Sequence, residues 1–305
     1  MDYALRSQFL CVFICLLQFQ HPMKTRPLPH IAVFAPLFAL TVFAFAAQPL
    51  PDTEALRAGT HFLKTRVFTP EEDAKILKAF EGLRVADVCD GMDAFGLQNV
   101  GLMDPEIHPL WRDTQTFAHR FVGIAVTVRY VPTQQPPAGK RSFEDYDKWA
   151  GEWYGERSSE PFQALLRPGS ALVIDDAPNA DVGSIGSNNI MSWKTRGCVG
   201  VVTNATARDT DEVITEKIPL YLRHAGRGIR PGRNEVESVN CPLVVGGVLV
   251  MPGDVIVADG DGVLVVPRDQ ALAVAVYARG ILTGDKAGRR KLYEQLGLPA
   301  DKSVK

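Results

Sequence analysis

The chain has 305 residues, 46% hydrophobic and 22% charged, which is ordinary globular composition with enough apolar material for a substantial core. With 33 Lys and Arg against 35 Asp and Glu, its formal net charge is -2. That balance gives no basic excess for nucleic-acid binding and none of the strong acidity of a solvating tail, so partners must be argued from sites.

The N-terminus is the clearest compositional anomaly. From Met23 the chain reads MKTRPLPHIAVFAPLFALTVFAFAAQPLPD. Lys24 and Arg26 supply a positive start, and Ile31 to Phe45 an apolar stretch broken by Pro36 and Thr41. Ala44-Phe45-Ala46 then gives the small-x-small pattern of a cleavage site before Ala47. The stretch is shorter than the roughly 20 residues of a spanning helix, so a cleaved export signal is expected over an uncleaved anchor. Residues 1–22 form a further apolar run, explained most simply if translation begins at Met23. Residues 1–47 are thus set apart as a signal region. Residues 48–305 are read as one exported domain, periplasmic or extracellular, with no stable membrane anchor after cleavage.

Three cysteines remain outside that region: Cys89, Cys198 and Cys241. Their odd number and wide spacing fit neither a disulfide framework nor a zinc site, and three buried apolar thiols are expected.

Gln48 to Leu56 is a proline-containing lead-in. Thr69-Pro70-Glu71-Glu72 is a helix start, with a hydroxyl cap, proline at the first position and acids in the first turn. Ile76, Leu77, Phe80 and Leu83 give its apolar stripe. A second helix carries Val85, Val88, Cys89, Met92 and Phe95 and stops at Gly96. Phe121 to Tyr130 reads as a strand. Residues 132–160 are polar and aromatic and read as an insertion with a short helix around Phe143 to Tyr154, in the position of a lid.

A strand–helix–strand rhythm follows. Arg167-Pro168-Gly169 turns into a strand over Ser170 to Ile174, Ile190 to Arg196 is helical, and Val199 to Thr203 is a buried strand. Asp211 to Glu216 is a short helix and Ile218 to Leu222 a strand. A second turn, Met251-Pro252-Gly253-Asp254, leads into Val255 to Ala258, and Asp259-Gly260-Asp261-Gly262 reads as a tight hairpin before Val263 to Val266, since it lacks the ligand spacing of a calcium loop. Two helices, Ala271 to Leu282 and Lys286 to Leu296, complete a layered α/β domain.

The chemistry-bearing stretch is GSNNIMSWKTRGCVGVVTNATARDTDEV, residues 186–213. Gly186-Ser187-Asn188-Asn189 precedes a helix, with Ser187 or Asn188 as its expected cap. The free amides of that first turn can bind a carboxylate or phosphate. Arg208-Asp209 follows a buried strand, at the end where ligands lie in α/β sheets. Arg208 can hold a carboxylate through paired N–H donors. Asp209, with Glu212 nearby, offers hard oxygen ligands suited to Mg²⁺ or Mn²⁺. Between Arg223 and Arg233 four arginines stand among three glycines. That loop is either an anion-binding element or a solvated segment paired to Glu235 and Glu237. His224 within it is read as a surface residue.

Taken together, VADVCDG (85–91), VGIAVTV (122–128), RPGSALVID (167–175), G…KTRGCVGVV (186–202), ARDTDE (207–212), IPLY (218–221) and VVGGVLVMPGDVIVADGDGVLVVP (244–267) resemble the RraA-like family. That family includes 4-hydroxy-4-methyl-2-oxoglutarate/4-carboxy-4-hydroxy-2-oxoadipate aldolases and ribonuclease E regulators. The resemblance implies a swivelling β/β/α layered fold and assembly as trimers or hexamers with sites between subunits. In the aldolases, it implies, amides at the Gly186 turn bind the substrate carboxylate, the residue matching Arg208 contacts substrate oxygens, and the acid matching Asp209 holds a divalent metal. Catalysis is therefore expected to rest on Arg208, Asp209 and Ser187, substrate binding on Gly186, Ser187, Asn188, Asn189 and Arg208, and metal binding on Asp209 and Glu212.

One departure stands out. Family aldolases carry an acid twenty residues before the Arg-Asp pair; here Ser187 lies near that position and cannot act as a general base unaided. Asp181, Glu212 or a neighbouring subunit remain as sources of the proton. The expected function is a divalent-metal-dependent lyase acting on a small 2-oxo or hydroxy acid. The alternatives are a non-catalytic ligand-binding or regulatory protein on the same scaffold, or a metal-assisted dehydratase or hydrolase of a sugar acid.

Overall fold

The computed structural model describes residues 63, 65–176 and 181–305; the signal region and the lead-in lie outside the described residues. Helix α1, Pro70–Phe80, starts as its sequence dictates. The Thr69 hydroxyl accepts from the Glu72 amide and the Glu72 carboxylate accepts from the Thr69 amide at 2.7 Å, a closed capping box. Helix α2, Val85–Ala94, follows directly and packs against the C-terminal helix α6, Ala271–Gln295. Gly91 makes that packing possible, since a Cβ there would sit 2.9 Å from the Ala278 amide.

The sheet is built on β2, Phe121–Pro132, whose twelve residues serve two partners along one edge. Its first half pairs antiparallel with β12, Val255–Asp259, and its second half with β9, Asn234–Val239. Across the other edge β3 (Ser170–Asp175), β5 (Cys198–Thr203) and β7 (Leu220–Leu222) add in parallel; β1 (His108–Pro109) and β13 (Gly262–Val266) close the two ends antiparallel. Both faces are covered, which is why β3 and β5 read as unbroken apolar runs. On β3, Leu172 and Ile174 enter one core with Trp193 and Ile190, while Ala171 and Val173 enter another with Tyr221 and Val202.

Several elements depart from expectation. The two C-terminal helices are a single helix of 25 residues. Gly284 is tolerated inside it, at a cost of about 1 kcal/mol relative to alanine. Beyond Leu282 that helix is tied down by polar contacts: Arg84 reaches Asp285 at 2.7 Å, and Arg290 donates to the Val304 carbonyl at 2.6 Å. The insertion helix α3, by contrast, lies where it was expected, over Phe143–Glu156, capped by Ser142. Among the described cysteines, Cys198 is buried, Cys89 half-buried and Cys241 exposed, and all three are free thiols. A hairpin of β10 (Leu243–Val245) and β11 (Val248–Val250), turned by Gly246 and Gly247 at positive φ, was not anticipated. No helix among the described residues is long and apolar enough to cross a membrane.

Candidate functional site

The parallel strands β3, β5 and β7 each lead on to a short strand beyond the main sheet. These are β4 (Gly183–Ile185), β6 (Thr206–Ala207) and β8 (His224–Ala225), which pair in parallel as a separate three-stranded sheet. Its register sets Ile185 against Ala207 and Ala207 against Ala225. The residues that leave β4 and β6, Gly186 and Arg208-Asp209, therefore emerge side by side. The Arg208 amide donates to the Ile185 carbonyl at 2.8 Å. Close approach needs Gly183, where a Cβ would lie 2.7 Å from the Arg208 Cβ.

Gly186 is the N-cap of α4, Ser187–Thr195, and has no side chain with which to cap it. This corrects the expectation that Ser187 or Asn188 would fill that position. The capping group comes from another element. The Asp209 Oδ2 accepts from the Ser187 amide at 3.2 Å. It can do so because Asp209 sits in the left-handed region, φ 54°, ψ 39°, at the start of α5, Thr210–Thr215. Few residues other than glycine adopt that conformation, aspartate being among those that tolerate it. A Cβ at Gly186 would meet Oδ2 at 2.9 Å, so glycine keeps the carboxylate in place. The Arg208 Nε lies 3.9 Å from the Asp209 Oδ1, with side chains 35% and 39% exposed: a loose pair, open to a third group. The Asn188 and Asn189 amides belong to the same first turn and have no intrahelical carbonyl to bond.

Behind this mouth lies a buried network that the sequence reading missed. Glu160, at the end of the insertion, accepts from Asn189 Nδ2 at 2.8 Å, Trp193 Nε1 at 2.8 Å and Gln163 Nε2 at 2.6 Å, and is ion-paired to Arg230. Arg230 is itself buried, donates to the Tyr130 hydroxyl and the Ser158 carbonyl at 2.9 Å each, and stacks on the Tyr130 and Tyr154 rings. Burial pushes the Glu160 carboxyl up, but Arg230 and the Trp193 and Gln163 donors outweigh it and hold the group below the ordinary carboxylate range. Burial also raises the Tyr154 phenol, opposed by the positive charges of Arg230 and Arg208. The insertion thus contributes to the wall of the site. The only signal in the sequence was an acid closing a polar segment that is rich in tryptophan and tyrosine.

Gly186, Ser187, Asn189, Arg208 and Asp209 are together, with Asn188 exposed beside them. Glu212 is exposed on α5, and no group of three or more His, Cys, Asp or Glu side chains converges among the described residues. The arginine-rich loop is paired, though not with the expected acids. Arg223 binds Asp104 and Glu106, Arg227 binds Asp181, Arg230 binds Glu160, and Arg233 donates to the Ile229 carbonyl. Glu235 instead faces Arg157 at 3.6 Å. Asp181 is held below the ordinary range by hydrogen bonds from the Arg227 side chain and amide, which makes it a poor base. His224 is exposed, as expected. A cleft of about 950 Å³ at the opposite end of the strands, lined by Leu77, Arg120, Val122 and Leu282 among others, contains none of these site residues.

A profile of the RraA-like family, described as Aldolase/RraA, matches residues 85–265. The chain is 27% identical over 188 residues to Protein DlpA of Legionella pneumophila, a match covering 61% of this chain and 26% of that protein. It is 33% identical over 103 residues to a 4-hydroxy-4-methyl-2-oxoglutarate aldolase of Thermus thermophilus, covering 33% of this chain and 60% of the aldolase. The chain thus spans about a quarter of the first relative and three-fifths of the second. Among solved structures, Streptomyces coelicolor RraAS2, an unusual member of the RNase ES inhibitor RraA protein family, superposes with a TM-score of 0.56 at 21% identity, over 75% of this chain and 99% of that one. That last likeness bears on the fold.

Proposed function

The chain belongs to the RraA-like family, and from that premise we propose that it is a carbon–carbon lyase, of the aldolase or decarboxylase type, for a small 2-oxo or hydroxy carboxylic acid. The observation that carries this reading is the meeting of three groups at one helix mouth: the Arg208 guanidinium, the Asp209 carboxylate and the first-turn amides of α4. The amides and the helix dipole suit the substrate carboxylate. The guanidinium suits an oxygen that gains negative charge as the carbon–carbon bond breaks.

The donor set fits a Mg²⁺ or Mn²⁺ ion that keeps most of its waters. Asp209 gives one half-exposed hard-oxygen ligand, Gly186 leaves open the space a Cβ would fill, and one or two carboxylates are enough for such an ion. Asp209 would hold it, with Glu212 as the second candidate. When bound, the ion would polarise the oxo group as a Lewis acid. Of the chain's own groups, Arg208 orients the acid, the α4 amides bind its carboxylate, and Glu160 of the insertion holds Asn189 in the wall.

The test is pyruvate release from oxaloacetate, and from a 4-hydroxy-2-oxo acid, with Mg²⁺ or Mn²⁺, in the wild type and in Arg208→Ala and Asp209→Ala. Loss of release in both variants is expected; equal rates in all three proteins would remove the reading. A second reading, a ligand-binding or regulatory protein without turnover, draws support from Ser187, which offers no carboxylate where family aldolases have an acid. Binding of the acids without turnover would favour it. A metal-assisted dehydratase or hydrolase of a sugar acid draws on the polar run Ser187-Asn188-Asn189. Assembly as a trimer or hexamer, checked by light scattering, and export, checked by N-terminal sequencing of the mature protein, belong to the same proposal.

A further inference from the structure

Asn189 stands one turn inside the candidate site, and its side-chain amide is not free to rotate. Its Nδ2 donates to the Glu160 carboxylate at 2.8 Å. An ionised carboxylate only accepts, so this contact fixes which end of the amide is nitrogen and which is oxygen. The Oδ1 therefore turns the other way, toward the Gly186–Asp209 mouth, 3.4 Å from where a Gly186 Cβ would stand. Among the described residues no donor satisfies this oxygen. Glu160 is itself locked by Arg230, Trp193 and Gln163, so the orientation of the amide is set by a buried ion pair.

Resting on the lyase reading, we infer that Asn189 determines which acid is taken: its Oδ1 accepts a hydrogen bond from a hydroxyl of the bound acid. The site thereby prefers a hydroxy acid to the same skeleton without the hydroxyl, and Glu160 is the positioning residue that aims the acceptor. An acceptor aimed at a ligand discriminates because it is left unpaired when the partner hydroxyl is missing.

Malate and succinate share one dicarboxylate skeleton and differ by one hydroxyl, so they are the probes. Binding of D-malate, L-malate and succinate is measured by calorimetry with Mg²⁺ present, for wild type, Asn189→Ala, Glu160→Gln and Arg208→Ala. In the wild type one malate enantiomer is expected to bind about 10-fold or more tightly than succinate, about 1.4 kcal/mol. Asn189→Ala should reduce that ratio to near one, because the acceptor that malate satisfies and succinate leaves unpaired is gone. Glu160→Gln should lower the ratio in the same direction, a readout that a general loss of folding would not produce, with circular dichroism confirming that each variant is folded. Equal binding of malate and succinate by the wild type, with affinity still lost in Arg208→Ala, overturns the role of Asn189 and leaves the lyase reading standing, as does a ratio that survives Asn189→Ala. Failure of all three acids to bind the wild type removes the carboxylate site itself, and both readings with it.

Discussion

The two ends of the parallel strands treat charge in opposite ways. At the N-terminal end, the turns Arg167-Pro168-Gly169 and Met251-Pro252-Gly253 lie near one buried carboxylate, Asp73. Arg167 Nε donates to it at 2.9 Å, Arg268 Nη1 approaches it at 2.7 Å, and Asp254 caps backbone amides of Met251 and Arg268 at 2.8 and 3.0 Å. At the C-terminal end, Arg208 and Asp209 are 3.9 Å apart and half-exposed, although they are neighbours in sequence. Charges that fasten elements together converge on the buried Asp73 at 2.7–2.9 Å; the pair left loose, 3.9 Å apart, is the one with capacity for a ligand. The same end has its own architectural pair, Glu160 with Arg230, set behind the open one.

The largest way to break this contrast is Asp73→Ala. It strands Arg167 and Arg268, and loss of one partner from a buried pair costs about 3–5 kcal/mol. Denaturant melts should show that loss, with activity per folded molecule unchanged. Arg208→Ala should do the reverse: stability close to wild type, with kcat/KM for oxo-acid cleavage down by roughly 10²–10³-fold, the usual cost of one oxyanion donor.

Asp254 gives the contrast a pH dependence. Burial pushes its carboxyl from the ordinary 3.8 to about 6, against the two amides that favour the charged form. The folded state therefore binds more protons than the unfolded chain between these values, and stability falls as pH rises from about 4 through 6. At about 1.4 kcal/mol per pH unit of displacement, the loss is on the order of 3 kcal/mol. Urea melts across that range should show the decline, and Asp254→Asn should flatten it.

Gly186→Ala should displace the Asp209 carboxylate and lower activity by about 10-fold, roughly 1.4 kcal/mol, with about 1 kcal/mol of stability lost as α4 loses its cap. The smallest effect is expected for Thr69→Ala, which opens the α1 capping box at a cost of about 1 kcal/mol with no change in activity.

Legibility followed the range of the cause. The start of α1 and the Asp259–Gly262 hairpin could be read because caps and tight turns are decided within four residues. The Gly186 mouth was found, but its cap was assigned to Ser187 or Asn188, since a cap that arrives from Asp209 leaves no local trace. The long helix reads in the sequence as two, Ala271 to Leu282 and Lys286 to Leu296, because nothing nearby announces Arg84 or the C-terminal tail as its support. The strands β4, β6 and β8, of two or three residues each, are too short to carry a period.

By itself the sequence determined the α/β class, the main strands, the family and the residues at the mouth of α4, because composition, apolar periodicity and ordered motifs are written along the chain. Tertiary structure alone decided that Asp209 caps a helix 22 residues upstream, that Glu160 and Arg230 close the wall behind Asn189, and that the arginine-rich loop is already paired. Those outcomes depend on which strands lie side by side, and in a parallel sheet that pairing joins segments far apart in the chain.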